Sequence, residues 1–281
     1  MKNKKRLTNI AFVALFVAGL LILSYPMISN FWNQWRADHL MSQYSETVEN
    51  TDEDTLQEKF RRARLYNKNL AGSSVPDAFS IREYRRDVEY ESLLDVVGDG
   101  VMGFVEIPSI KVSLPIYHYT TEDVLKKGAG HLAGSSLPVG GKGTHTVVSA
   151  HRGLPSAKMF TDLNLLEEGD VFIFRVLDRK FTYQVDQIKV VEPDETEDLA
   201  AVPGEDLATL VTCTPYGVNT QRLLVRGYRV PNGTEGNGSH NTLLQNPSLL
   251  LQLMCIGAGI ITALFIVWMI DRRRKKKLIK K

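Results

Sequence analysis

Two apolar runs near the ends constrain this chain more than any other feature. Residues 10–28 read IAFVALFVAGLLILSYPMI, with no charge anywhere between Arg6 and Arg36. Residues 249–270 read LLLQLMCIGAGIITALFIVWMI, with Gln252 and Thr262 as the clearly polar interruptions. A bilayer core takes about 20 apolar residues as helix, so each run predicts a transmembrane helix. Lys2, Lys4, Lys5 and Arg6 also fit the basic start of a cleaved secretory signal. No clear small-x-small cleavage site comes after it, so the segment reads as a retained anchor. Anchor or signal, it sends the downstream chain across a membrane. Basic clusters flank the outer side of both runs. By the positive-inside rule the tails 1–9 and 271–281 are cytoplasmic and residues 29–247 lie outside, with the lipid bilayer as one partner.

Charge supports treating the middle separately. The tails hold 12 of the 34 Lys and Arg, and Asp271 is their only acid. The exterior part keeps 22 basic against 31 acidic residues, a formal −9, so the whole-chain pI near 8.4 misleads. Nucleic acid is not an expected partner of such a surface. Of the two cysteines, Cys255 sits in the second apolar run, which leaves Cys213 as the one external thiol. It has no internal disulfide partner, so it reads either as a small core residue or as a reactive group.

Between the runs the pattern changes twice. Residues 36–99 read as a helical N-terminal region, in which 36–70 are polar with helical spacing at Leu56, Phe60, Ala63 and Leu70, and Thr51-Asp52-Glu53-Asp54 suits a helix start. This predicts a pair of helices packed on the main domain. Residues 71–80, AGSSVPDAFS, read as a loop, and a second short helical stretch near 82–97 ends at Gly98-Asp99-Gly100. From Val101 short β-type runs take over: GFVEI, TVVSA, VFIFRV, FTYQVDQIKVV, TLVTC and RLLVRGYRV. Short helical pieces are expected at 122–127 and 162–166. So many strands in residues 100–231 predict a mainly β domain, a closed or nearly closed antiparallel barrel that leaves few exposed edges. Residues 232–248 read as a flexible linker.

Three segments carry chemistry: TVVSAHRG at 146–153, TLVTCTPYG at 209–217 and NTQRLLVRG at 219–227. In each, a polar residue sits at or near the end of a β run. If the last two strands pair about a centre between Gly217 and Val218, Cys213 and Arg222 face each other with side chains on one face. A thiol of ordinary pKa is mostly protonated at neutral pH, and only the thiolate attacks well. A nearby imidazole, His151, can take its proton and later protonate an amine leaving group. A guanidinium stays charged and can donate to the oxyanion of a tetrahedral intermediate.

These segments resemble the sortases in order and approximate spacing. More specifically, TLVTCTPYGVNTQRLLVRG, GDGVMGFVEIPSI at 98–110 and the C-terminal apolar run resemble class C, the pilus-assembling sortases. The resemblance covers about residues 65–230 and the membrane segments. It implies a sortase β-barrel, with Cys213 as nucleophile, His151 as general acid/base or ion-pair partner, and Arg222 as oxyanion stabiliser. It also implies cleavage of an LPxTG-type sorting signal between Thr and Gly through a thioester. The acyl group then passes to a lysine of the next pilin, so pilins are the implied protein partners. Class C enzymes carry a lid with an Asp-Pro-aromatic motif, and here Asp77-Ala78-Phe79 stands in that place. The resemblance implies that Asp77 pairs with Arg222 and that Phe79 covers Cys213 and His151. Alanine lacks proline's fixed φ, so a less rigid lid is expected.

Other readings remain at this point: a cell-wall-anchoring sortase, a membrane-tethered cysteine hydrolase, or a non-catalytic surface module. His39, His118, His131, His145 and His240 read as surface or packing residues. No metal-ligand spacing is present, so no metal or cofactor is expected. Glu122-Asp123 and Glu167-Glu168 read as solvated, and Arg226 is the nearest rival to Arg222.

Overall fold

In a computed structural model the described residues are 2–70, 75–80, 86–236 and 257–262, with side chains described from residue 14 onward. The chain divides into two compact units, residues 1–31 with 241–281, and residues 32–240. Helix α1 runs Lys2–Glu49. From Ala14 it includes a stretch long and apolar enough to cross a bilayer, none of it buried within the protein. Leu15, Leu21 and Ile22 are exposed along it, which suits a helix whose solvent is lipid. Of the expected second span, 249–270, residues 257–262 are helical. The rest of that span, the linker after residue 236 and the tail 271–281 lie outside the described residues, as do 71–74 of the expected lid loop.

The larger unit is a barrel with helices against it. The end of α1 is fastened by Tyr44, whose buried hydroxyl donates to the Met102 carbonyl at 3.3 Å and accepts from the Leu177 amide at 2.8 Å. Helix α2 (Glu53–Asn69) starts where the acids predicted: the Asp52 carboxylate accepts from the Thr55 amide and caps the first turn. Its buried stripe is Leu56, Phe60, Ala63 and Asn67, with Leu70 only half-buried. Asn67 is tolerated in the core because it hydrogen bonds both the carbonyl and the amide of Leu137. The helical stretch expected at 82–97 shrinks to α3 (Val88–Ser92), capped by Asp87; residues 81–85 lie outside the described residues. The short pieces expected at 122–127 and 162–166 are α4 (Glu122–Leu125) and a single 3₁₀ turn, Leu163–Leu165.

Eight strands close the barrel: β1 (Val101–Ile107), β2 (Val112–His118), β3 (Ala129–His131), β4 (Thr144–Ser149), β5 (Val171–Val176), β6 (Arg179–Val191), β7 (Asp206–Thr214) and β8 (Gln221–Val230). Around the barrel the order is β1-β2-β3-β4-β7-β8-β6-β5. Closure matches expectation, but the barrel is mixed rather than wholly antiparallel: β2–β3 and β4–β7 run parallel. Parallel neighbours need crossovers, and the chain supplies them. Residues 119–128, with α4, carry it from β2 to β3, and the β5–β6 hairpin intervenes between β4 and β7. Every residue of β4 is buried, as expected of a central strand with a parallel neighbour and covered faces. Phe104, Phe172, Phe174 and Tyr183 fill the core. Each such burial contributes about 1.5–3 kcal/mol.

Candidate active site

Strand pairing brings the three chemistry-bearing residues to one end of the barrel. β7 and β8 pair in the register that places Cys213 directly opposite Arg222. β4 lies on the other side of β7 with Ser149 opposite Val211. The pairing continues one step further, because the Ala150 amide donates to the Val211 carbonyl at 3.2 Å and the Thr212 hydroxyl to the Ala150 carbonyl at 2.8 Å. His151 therefore leaves the sheet beside the end of the cysteine strand. After Arg152, Gly153 has φ +77°, and a Cβ there would meet the Tyr216 ring at 2.9 Å, so glycine lets the two loops of the site touch. Arg152 ties those loops by donating to Thr214 Oγ1 at 2.9 Å, Asn164 Oδ1 at 2.8 Å and the Thr161 carbonyl at 3.3 Å.

Cys213 and His151 line a cleft of about 600 Å³ with Arg222, Phe79, Glu122 and Asn219 among its other walls. The 75–80 segment closes over it. Asp77 accepts from Arg222 Nε at 2.7 Å and from Nη2 at 2.8 Å, a bidentate pair between residues 145 apart. Phe79 lies with its ring 5.2 Å from the same guanidinium and 6.0 Å from the His151 ring. Ala78, where the family motif has proline, is 1% exposed. With Val75 it packs into an apolar cluster with Leu132, Val147, Val191, Leu199, Val211 and Leu224. The segment is held by packing at Val75 and Ala78 as well as by the ion pair, which composition alone did not indicate.

Burial sets the protonation of the closed site. It pushes the Cys213 thiol up; Arg222 works against that and Asp77 reinforces it. Burial also pulls the His151 imidazole down, opposed by Glu122. Both directions favour neutral thiol and neutral imidazole while the segment is shut. The double hydrogen bond from Asp77 pushes Arg222 further up, so its charge is permanent.

The remaining expectations divide cleanly. Arg226, the rival arginine, pairs with Asp186 at 2.7 Å and does not line the cleft. His118, His131 and His145 are buried with both ring nitrogens bonded to protein groups, and His39 stacks on Trp35. His240 lies outside the described residues. Among the described residues there is no group of three His, Cys, Asp or Glu placed to hold a metal ion. Glu122, read from sequence as solvated, is 63% exposed, yet its Oε2 lies 3.4 Å from His151 Nε2. No local pattern could have paired them, because the β2–β3 crossover delivers Glu122 to a site built on β4 and β7.

Known proteins match this arrangement. The sortase domain model matches residues 105–230. The solved structure of Streptococcus pneumoniae sortase C is 47% identical, covering 69% of this chain and 97% of that one, with a TM-score of 0.66. Sortase C-1 of Actinomyces oris is also 47% identical, covering 63% of this chain and 99% of that one, at a TM-score of 0.61. Sortase A of Bacillus anthracis is 25% identical over 225 residues, 80% of this chain and 95% of the relative. The shared barrel, the near-complete coverage of the solved relatives and this level of identity together mean that the chain belongs to the sortase family of cysteine transpeptidases.

Proposed function

We propose that this sortase polymerises pilins at a Gram-positive cell surface, with Cys213, His151 and Arg222 as its catalytic residues. The observation that carries the reading is the register of β7 and β8, with thiol and guanidinium face to face in a cleft that also holds His151. In the first half-reaction Cys213 Sγ attacks the Thr–Gly carbonyl of an LPxTG-type signal. Arg222 donates to the oxyanion, and His151 protonates the departing glycine amine. In the second half-reaction a pilin lysine attacks the thioester and frees the thiol. The solved relatives described as pilus-related and as selecting pilin substrates support the choice of pilins. Asp77, Ala78 and Phe79 act as the lid: while Asp77 takes the Nε and Nη2 donors of Arg222, those donors cannot serve an oxyanion.

In the same reading residues 10–28 and 249–270 both span the membrane and residues 29–247 work outside it. The apolar, unburied stretch of α1 supports the first span. The test is to incubate the full chain in neutral detergent with a candidate pilin and its sorting signal. Covalent ladders that survive boiling in detergent are expected, with an acyl adduct whose mass maps to Cys213. An adduct on another residue, or release of free acid with no joined product, would reject the proposal.

A further inference from the structure

Glu122 has no place in the chemistry so far, yet it stands on the cleft wall. Among the described residues lining the cleft it is the one acid, and the other charged residues there are Arg152 and Arg222. One carboxylate oxygen, Oε2, faces His151 Nε2 at 3.4 Å. That nitrogen is buried and has no aligned hydrogen bond among the described residues, so the carboxylate is a close neighbour of the imidazole without a formed hydrogen bond. The other oxygen, Oε1, holds the ammonium of Lys126, one helical turn on, also at 3.4 Å. The protein's own lysine thus shows which group this carboxylate takes at the cleft mouth.

We infer that Glu122 is the acceptor subsite, docking the primary ammonium of the incoming lysine beside the His151 imidazole. This rests on the reading above that a thioester on Cys213 passes to an amine. An ammonium entering the cleft is repelled by Arg152, and by Arg222 once Asp77 has left it; at the Glu122 corner it meets a carboxylate whose exposed pairing with Lys126 it can share or displace. Docked there, the ammonium gives one proton to solvent through the carboxylate. The free amine nitrogen attacks the thioester carbonyl, and the new C–N bond replaces the C–S bond. His151 takes a second proton from the attacking nitrogen and returns it to the departing Cys213 sulfur. Thioester and ammonium become amide, thiol and one proton released to solvent, with no oxidant or cofactor.

Because Glu122 is largely exposed, its pairing with an ammonium is of the weak, solvated kind, and a change of about five-fold in acceptor KM is the expected scale. The experiment uses the full chain in neutral detergent carrying Asp77→Ala, so that the cleft is open, with and without Glu122→Gln. A sorting-signal peptide is supplied with either a lysine-bearing pilin peptide or hydroxylamine, which is uncharged at neutral pH. Glu122→Gln should raise KM for the lysine peptide about five-fold. It should leave thioester formation and release to hydroxylamine within about two-fold, and Glu122→Asp should recover part of the loss. An unchanged KM for the lysine peptide overturns the inference. So does an equal fall in thioester formation and in transfer to both nucleophiles, which would make Glu122 a support for His151 alone. A lack of any thioester in the Asp77→Ala protein with Glu122 intact would instead overturn the underlying transpeptidase assignment.

Discussion

Strand β8 carries two arginines on one face, each gripped by an aspartate through two hydrogen bonds, and the two aspartates come from different parts of the chain. Arg226 is held by Asp186, which sits at the bulge of the adjoining strand β6. Arg222 is held by Asp77, from a loop far away in sequence that belongs to no strand. The nearer pair is the more exposed, with side-chain exposures of 24% and 27% against 11% and 8% for the pair at the cleft. Bond geometry alone therefore does not separate them. The difference is where the partner comes from: Asp186 belongs to the same sheet, and Asp77 to the segment proposed above as the lid, so the first is expected to be a staple and the second a latch.

The sharpest way to break this comparison is to remove each arginine. Arg222→Ala should reduce transpeptidation about 100- to 1,000-fold, the usual cost of one oxyanion donor, and Arg222→Lys should not restore full activity because it lacks the planar fork. Arg226→Ala should leave turnover within a few-fold while lowering thermal stability. Steady-state transfer assays on the three variants check this, and near-normal turnover in Arg222→Ala would exchange the two roles. Cys213→Ala sets the floor: it should abolish adduct formation, read by intact mass, while the near-ultraviolet circular dichroism of the folded domain persists.

Removing the aspartates gives the next largest effect. Asp77→Ala should speed alkylation of Cys213 by about ten-fold or more, because reagent reaches only the open fraction of a closed site. Asp186→Ala should leave that rate unchanged and cost about 1 kcal/mol in denaturant unfolding, as a part-exposed ion pair does. Equal alkylation rates in the two variants would mean that Asp77 is another staple.

The pH dependence sharpens the distinction further. Only thiolate is alkylated, and burial together with Asp77 holds the Cys213 thiol above the ordinary range. Deleting Asp77 removes a contribution that raises the thiol and leaves Arg222, which lowers it, so the alkylation-versus-pH curve should move to lower pH. Asp186→Ala should leave the curve in place. The smallest effects belong to the rest of the lid. Phe79→Ala should raise the alkylation rate a few-fold, less than Asp77→Ala, because it opens one wall without releasing the latch. Ala78→Pro should react at the wild-type rate or slower, since a fixed φ favours the closed form if the buried site accepts the ring.

Much of this molecule was legible because local chemistry decided it. Asp52 ahead of an apolar-periodic stretch fixes the start of α2, and alternation with turn residues marks the strands. If β7 and β8 pair about a centre between Gly217 and Val218, Cys213 stands opposite Arg222, and the observed register is the one that this assumption gives. The catalytic roles proposed for Cys213, His151 and Arg222 come from family resemblance rather than from spacing.

What sequence could not supply is long-range. Nothing local says that β4 lies parallel to β7, and that pairing brings His151 to the cysteine strand. Parallel neighbours are joined by crossovers that leave no turn signature, which is also why an antiparallel barrel was expected. Asn67, which the sequence reading did not single out, joins the buried stripe of α2 because it bonds the amide and carbonyl of Leu137. Ala78 reads only as a missing proline until its burial shows the segment packed against an apolar cluster. Glu122 reads as one of many solvated acids until the β2–β3 crossover sets it beside His151. Sequence by itself determined the apolar runs, the start of α2, the strands and one hairpin register, because each depends on residues within a few positions of one another. Tertiary structure alone decided the cleft, the latch and the acid on its wall, because closing the barrel brings together residues whose contacts carry no local trace.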